Sequence, residues 1–524
     1  MSRDFQLPGR SPVIACEGMA ATSHPLASLA AIAVLREGGN AADAAITAAA
    51  VLCVVEPHMT GIGGDCFCMI ARPGHPVWGY NGSGRSGKAA SIGALSGPAI
   101  APESIHAVTV PGAIDAWAAI LQSHGRFSLE RALAPAIHYA EDGYPVASRI
   151  AWDWSQLTAK LHNDAGAARH YLFQGRAPRE GDIVKSPALA QTLRIIAAEG
   201  PRAFYEGAIG QDMVETVTER GSFLTLEDFA SHRGEVVAPI TSSYRGLDIV
   251  EMPPNTHGLT ALMLLNVLEH FDLAMLAPLG PERLHITLES ARLVYELRDT
   301  HLSDPRTMRA SVSKLIDKAL ATDLAGRIDR AKRGSVPSRA LPGSDTVYLS
   351  VVDRDRMTVS LINTLYSQFG VGICTERTGI MLTNRGACFV LEPDHPNAFG
   401  PNKRPLHTII PALAFDSGRC KMAFGVMGAH YQPMGHAQIV TNLVDYGMDL
   451  QQAIDAPRFF FVEEQTVVER GAPAATMEGL GARGHDVAIA HSPWGGAQAI
   501  EIDWDRGVLI GGSDPRKDGC ALGY

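Results

Sequence analysis

Three arginines, Arg85, Arg385 and Arg516, could each hold a carboxylate through the two parallel N–H bonds of a guanidinium edge. Two glycine clusters, Gly63-Gly64-Asp65 and Gly370-Val371-Gly372, could turn backbone N–H groups toward an anion, although turns need glycine for the same reason. A third run, Gly82-Ser83-Gly84-Arg85-Ser86-Gly87, has the spacing of a dinucleotide fingerprint, with Glu103 downstream where a ribose-binding acid would stand. Its context argues otherwise: Ser96-Gly97-Pro98 and Ala101-Pro102 interrupt the interval that a following helix and second strand require. The chain contains no GxSxG elbow, Walker A loop, HExxH or EF-hand pattern. The eight cysteines are scattered without CxxC pairing, which reads as buried free thiols rather than a metal knuckle.

These residues depend on elements that the pattern predicts in two styles. The run from Leu26 to Arg36 is a helix stopped by Gly38-Gly39, and Asn40 caps a second helix that ends before Pro57. Cys66–Ile70 reads as a buried strand, and further helices are expected near 112–123, 128–141, 259–271 and 282–299. From about 302 to 345 the chain becomes polar and rich in breakers, which predicts a linker without regular elements. Directly after it, residues 346–353 and 357–363 read as two strands joined by Arg354-Asp355-Arg356, with more strands near 380–383, 408–415 and 421–426. The composition therefore changes abruptly at Thr346, from a helix-rich part to a strand-rich one. Residues 392–404, with three prolines, read as a surface loop.

A chain of 524 residues, 46% of them apolar, can bury a large core in two lobes or one layered domain. The formal charge of −10, without long basic runs, disfavours nucleic acid or an anionic membrane as partner and favours a small molecule. The first ten residues lack the apolar core of a secretory signal and no membrane-length apolar stretch follows, so a cytoplasmic location is expected.

The segment Asp345–Asp353, with Phe369–Gly372, Thr378–Ile380, Asn384–Gly386, Pro405–Thr408 and Gly425–Gly428, resembles the small subunit of γ-glutamyltransferases. Gly38–Asp43, Val55–Pro57, Gly61–Asp65 and Val110–Gly112 resemble the large one, and the likeness runs on through Gly512–Arg516 to Tyr524. The resemblance implies an α+β fold, the four-layer αββα sandwich of N-terminal-nucleophile (Ntn) hydrolases. It implies self-cleavage between Asp345 and Thr346 into a large chain (1–345) and a small chain (346–524) that stay together as a heterodimer, leaving open whether heterodimers pair further. Thr346 would be the nucleophile, and its freed α-amine the base; an unperturbed α-amine titrates near 7.7–8.0, so neither a cofactor nor a metal is needed.

By position, Thr364 is the second threonine that supports the nucleophile, and Gly428 with Ala429 forms the oxyanion hole. Ala429 replaces a glycine, which a backbone donor tolerates where φ is negative. The substrate-facing positions fall on Tyr366, Arg385, Cys388, His407 and Thr408, with Arg85 two residues from the position of the family's carboxylate-binding arginine. Where relatives hold an α-ammonium group with a carboxylate and amides, this chain has Cys388, Tyr366 and Arg385, a pattern closer to acylase and oxamate-type amidohydrolase branches. The expected reaction is cleavage of γ-glutamyl or related short amides bearing a carboxylate, with hydrolysis favoured over transfer; a non-glutamyl amidohydrolase or acylase, towards which these pocket residues lean, and an unprocessed homologue without catalysis are the alternatives.

Overall fold

The computed structural model describes residues 9–335 and 346–524. Asp345, the residue before the expected cut, lies outside the described residues.

The strands assemble into two seven-stranded antiparallel sheets. In the first, the order is Cys520–Gly523, Met19–Thr22, Val347–Val352, Thr358–Thr364, Asp65–Ala71, Trp78–Gly82 and Glu235–Val237. In the second it is Val13–Ala15, Val508–Ser513, Gly496–Asp503, Arg419–Met427, Ala412–Asp416, Leu247–Glu251 and Ile240–Tyr244. Both sheets combine segments from before and after Thr346. Val347–Val352 is bonded on one side to Met19–Thr22 and on the other to Thr358–Thr364, which is bonded in turn to Asp65–Ala71.

The inner faces meet in one apolar layer, with Phe67, Met69, Tyr348 and Ile362 from the first sheet against Val250, Leu413, Ala423 and Met427 from the second. At one point the approach demands glycine: a Cβ on Gly425 would stand 2.3 Å from the Tyr348 ring. Alternate residues Val347, Leu349 and Val351 face the other way, into a core shared with helices Pro25–Arg36, Ala41–Val55 and Ala113–His124. On the far side, Ala412, Ala414, Phe424 and Val426 carry helices Gly258–Leu268, Pro281–His301 and Gln432–Val444. The result is the expected four-layer αββα order.

Helix Ala41–Val55 shows why the first layer packs so closely. Every one of its residues is buried, and seven are alanine, so the chain can approach neighbours on all sides. Its start is fixed by a reciprocal cap, in which Asn40 Oδ1 accepts from the Asp43 amide and Asp43 Oδ2 accepts from the Asn40 amide.

Two expectations need correction. The 302–345 stretch contains helices Val312–Leu315 and Lys318–Gly326; Asp317 caps the second, and Ala321 and Leu324 are buried, so sparse apolar residues at helical spacing sufficed. Residues 380–383 form no strand beyond a bridge between Met381 and Cys374, because their backbone bonds go to loops: Leu382 donates to Ile373, and Thr383 to Gly63. The 392–404 stretch is a loop, as expected, exposed at 392–394 and 401–402 and tied down where Lys403 Nζ donates to the carbonyls of Pro396 and Ala398 and Asn397 Nδ2 to that of Cys388.

Candidate active site

Thr346 stands immediately before its strand, opposite the end of the neighbouring one, where Val347 pairs with Asn363. Its hydroxyl lies 3.1 Å from that of Thr364, and both residues are buried. The Tyr366 amide donates to Thr364 Oγ1 at 2.9 Å, which leaves the Thr364 hydroxyl hydrogen available to Thr346. The strand end is locked by Asn363, which accepts from Trp117 Nε1 at 3.2 Å and donates to Thr60 Oγ1 at 2.8 Å. Gly64 is required beside it, since a Cβ there would meet the Thr364 carbonyl oxygen at 2.0 Å.

Arg385 opens a short 3₁₀ turn, Arg385–Cys388, and is fully buried. Its Nη1 donates to Thr408 Oγ1 at 2.8 Å and approaches Cys388 Sγ at 3.6 Å, while its Cζ lies 4.0 Å from the centre of the Tyr366 ring. Nε and Nη2, which form one edge of the guanidinium, have no hydrogen-bond partner among the described residues. Four of the substrate-facing residues read from the sequence thus touch one another.

His407 joins them through a partner that sequence reasoning did not assign. Its Nε2 lies 3.0 Å from Asp65 Oδ2, and Asp65 Oδ1 accepts from the Gly84 amide at 2.9 Å. Burial raises the Asp65 carboxyl to about 6, with Arg385 opposing the rise. Burial, then the cations Arg385 and Arg404, hold His407 well below its ordinary range, so the imidazole is neutral. The signal available in the sequence was the acid that follows the paired glycines, read there as a turn.

Arg85 differs from the expectation. Its Nη1 binds Asp304 at 2.9 Å and its Nη2 binds Glu235 at 2.8 Å, so both terminal nitrogens hold protein carboxylates. Arg516 is likewise engaged, by Asp514 and Glu469. The glycines of the 82–87 run serve close backbone passage: a Cβ on Gly84 would overlap the Val110 carbonyl oxygen at 1.6 Å.

The Gly428-Ala429 turn sits at the N-terminal side of helix Gln432–Val444, where backbone amides lack helical acceptors. Gly428 has φ 123° and Ala429 φ 49°. The condition of a negative φ at Ala429 is not met: the alanine occupies the left-handed region, and its Cβ is strained there by about 1 kcal/mol. Ala429→Gly should raise unfolding stability by about that amount with activity retained, as chemical denaturation would read. A loss of stability would show the alanine methyl to be needed for packing.

Glu56, at the end of helix Ala41–Val55, carries a second large perturbation. Burial pushes its carboxyl up to about 8, only partly offset by Ser23 and Lys517. A native carboxyl raised above its unfolded value stabilises the fold at low pH, and that contribution is lost as pH rises from 4.5 toward 8, on the order of 5 kcal/mol in all. Glu56→Gln should match wild type at pH 4 and exceed it at pH 9 in denaturant midpoint; a constant difference across pH would refute the assignment.

Among the described residues, one grouping has metal-ligand chemistry: His285, Glu289 and His485. Its two imidazoles bond each other at 2.8 Å, and Arg292 Nε stands 3.5 Å from Glu289, so a dication would face a guanidinium.

A threonine pair at the open end of two stacked antiparallel sheets, each flanked by helices, is the architecture of an Ntn hydrolase. The profile described as gamma-glutamyltranspeptidase matches residues 27–524, and the chain belongs to that family of enzymes. It is 38% identical over 524 residues to the glutathione hydrolase-like YwrD proenzyme of Bacillus subtilis, covering 98% of this chain and 99% of that one. It is 35% identical over 532 residues to the oxamate amidohydrolase proenzyme of Klebsiella pneumoniae, covering 98% and 99%. Cephalosporin acylase from Bacillus halodurans superposes with a TM-score of 0.93 at 36% identity, covering 100% of this chain and 99% of that structure. Among the described residues no helix is long and apolar enough to cross a membrane.

Proposed function

We propose that the chain cuts itself between Asp345 and Thr346, and that Thr346 of the resulting 1–345/346–524 heterodimer hydrolyses an amide whose acyl group carries a carboxylate. The observation that carries the substrate class is the unengaged Nε–Nη2 edge of the buried Arg385, which matches a carboxylate's two oxygens. An α-ammonium group in the same place would be repelled: at about 4 Å and an effective dielectric near 20, by on the order of 4 kcal/mol. The interleaved strands support persistence of the heterodimer after cutting. The proenzyme names of the relatives support the cut.

In the proposed reaction the freed α-amine of Thr346 takes the hydroxyl proton as Oγ1 attacks the amide carbon. The Thr364 hydroxyl, already directed by the Tyr366 amide, donates to the attacking oxygen. The oxyanion forms against the Gly428 and Ala429 amides. Collapse expels the amine with the transferred proton and leaves a Thr346 ester, which water cleaves by the reverse proton path. Thr408 and Tyr366 hold Arg385 in place, and the half-buried Cys388 stands beside it, its Sγ 3.6 Å from Arg385 Nη1. All eight cysteines are free thiols, which supports a reducing compartment such as the cytoplasm.

The test compares glutaryl-p-nitroanilide with γ-glutamyl-p-nitroanilide, which differ only in the ammonium group. Preference for the glutaryl compound by a hundredfold or more in kcat/KM is expected. A preference for the γ-glutamyl compound would instead favour a γ-glutamyl hydrolase, in line with the glutathione hydrolase-like name of one relative.

A further inference from the structure

We propose that Asp65 is a positioning residue that fixes the His407 tautomer, so that His407 Nδ1 acts as a hydrogen-bond acceptor selecting acyl groups with a neutral O–H or N–H beside the carboxylate. This rests on the reading of Arg385 as the carboxylate site.

Asp65 pairs across strands with Thr364 and so belongs to the same end of the sheet as the threonine pair. Its carboxylate is fully buried, and both oxygens accept: one from the Gly84 amide, the other from His407 Nε2. An ionised carboxylate has no proton to offer, so Nε2 carries the imidazole hydrogen. Nδ1 is then a bare lone pair. It is buried and has no partner among the described residues.

An unsatisfied buried acceptor costs about 1–3 kcal/mol, which a ligand donor would recover. The open donor edge of Arg385 belongs to the same buried cluster: its Nη1 is bonded to Thr408, the residue after His407, and its charge acts on the His407 ring. Two donors and one acceptor together complement a carboxylate with an adjacent donor. A charged ammonium donor is disfavoured by Arg385, whereas a hydroxyl or an acylated nitrogen meets no such penalty.

The groups facing Asp65 are Arg385, the Gly84 amide, His232 and Arg404; those facing His407 are Arg385 and Arg404. With Asp65 protonated, near and below pH 6, the carboxyl can donate to Nε2, and Nδ1 becomes a donor instead. Selectivity should therefore fade below that pH.

The experiment measures dissociation constants by calorimetry for three acids at each of two chain lengths: succinate, malate and oxaloacetate, and glutarate, 2-hydroxyglutarate and 2-oxoglutarate. The oxo acids offer an acceptor of similar size but no donor. In wild type at pH 8 the hydroxy acid should bind about tenfold more tightly than the oxo or unsubstituted acid of one series, as one recovered hydrogen bond gives. Asp65→Asn can accept from Gly84 and donate to Nε2, which forces the proton onto Nδ1. There the preference for hydroxy over oxo should vanish or reverse, while binding of the unsubstituted acid is kept.

His407→Leu, which removes the acceptor, should reduce all three acids of a series to equal affinity and stands in if Asp65→Asn does not fold. Equal binding of hydroxy and oxo acids by wild type, or a preference unchanged in the folded variants, overturns the inference and leaves the Arg385 site intact. Binding of none of the acids removes the carboxylate site and this inference with it.

Discussion

A Thr346→Ala chain is expected to remain one polypeptide of 55.9 kDa, whereas wild type resolves into fragments of about 37 and 19 kDa in proportion to residue number. The substitution removes the buried hydroxyl bonded to Thr364 and the γ-methyl beside it, together worth about 2 kcal/mol, and leaves the strand pairing in place. Folding should therefore survive while the nucleophile for both cutting and turnover is lost, with amide hydrolysis down by about 10⁶-fold. Intact-mass analysis of the two proteins, with sequencing of the new N-terminus, reads both effects. Two fragments from the alanine chain would show that another agent cuts it, and full activity in that chain would remove Thr346 from the chemistry. The wild-type fragments should stay together through gel filtration, because separating them would strip Met19–Thr22 from Val347–Val352 and from Cys520–Gly523, and Asp65–Ala71 from Thr358–Thr364.

The second large effect is expected at Arg385. Arg385→Ala should raise KM for carboxylate-bearing amides by about 10²- to 10³-fold, since two charge-assisted hydrogen bonds at roughly 1.5–3 kcal/mol each are lost, offset by water entering the space. An amide of the same length without the carboxylate should be affected far less, and that contrast separates recognition from general damage. Arg385→Lys keeps the charge but not the fork, and should fall between the two. The variant has a pH signature as well. Arg385 is the principal charge opposing the rise of the Asp65 carboxyl, so its removal should move Asp65 above its present value of about 6. A pH-dependent step tied to Asp65 would then shift toward higher pH. Unchanged KM for the carboxylate substrate in Arg385→Ala would sink the assignment.

Local order was legible because it is set by neighbours along the chain. Asn40 and Pro57 bracket the buried helix Ala41–Val55 through a cap and a stop that act within a turn of their own position. The two strands after Thr346 were readable for the same reason, as β-branched runs around a charged turn. The polar linker reading failed at Lys318–Gly326, where two buried apolar residues and one cap outweighed the composition around them. Resemblance to relatives then supplied the threonines and the positions around the pocket, which spacing alone had no means of assigning.

What the sequence left undecided depends on pairs far apart in the chain. Arg85, Arg385 and Arg516 look alike as residue types. Only the tertiary structure gives the first to Asp304 and Glu235 and the third to Asp514 and Glu469, and leaves an edge of the second unpaired in a buried place. Asp65 and His407 are 342 positions apart, and no local pattern couples them. Ala429 reads as a harmless replacement until the left-handed φ imposed by the turn into helix Gln432–Val444 is known. By itself the sequence determined most of the helices and strands and the family, because propensity, caps and motif order act at short range. Which charges are spent and which stay open was decided by folding, because burial and ion pairing are properties of what the two sheets bring together.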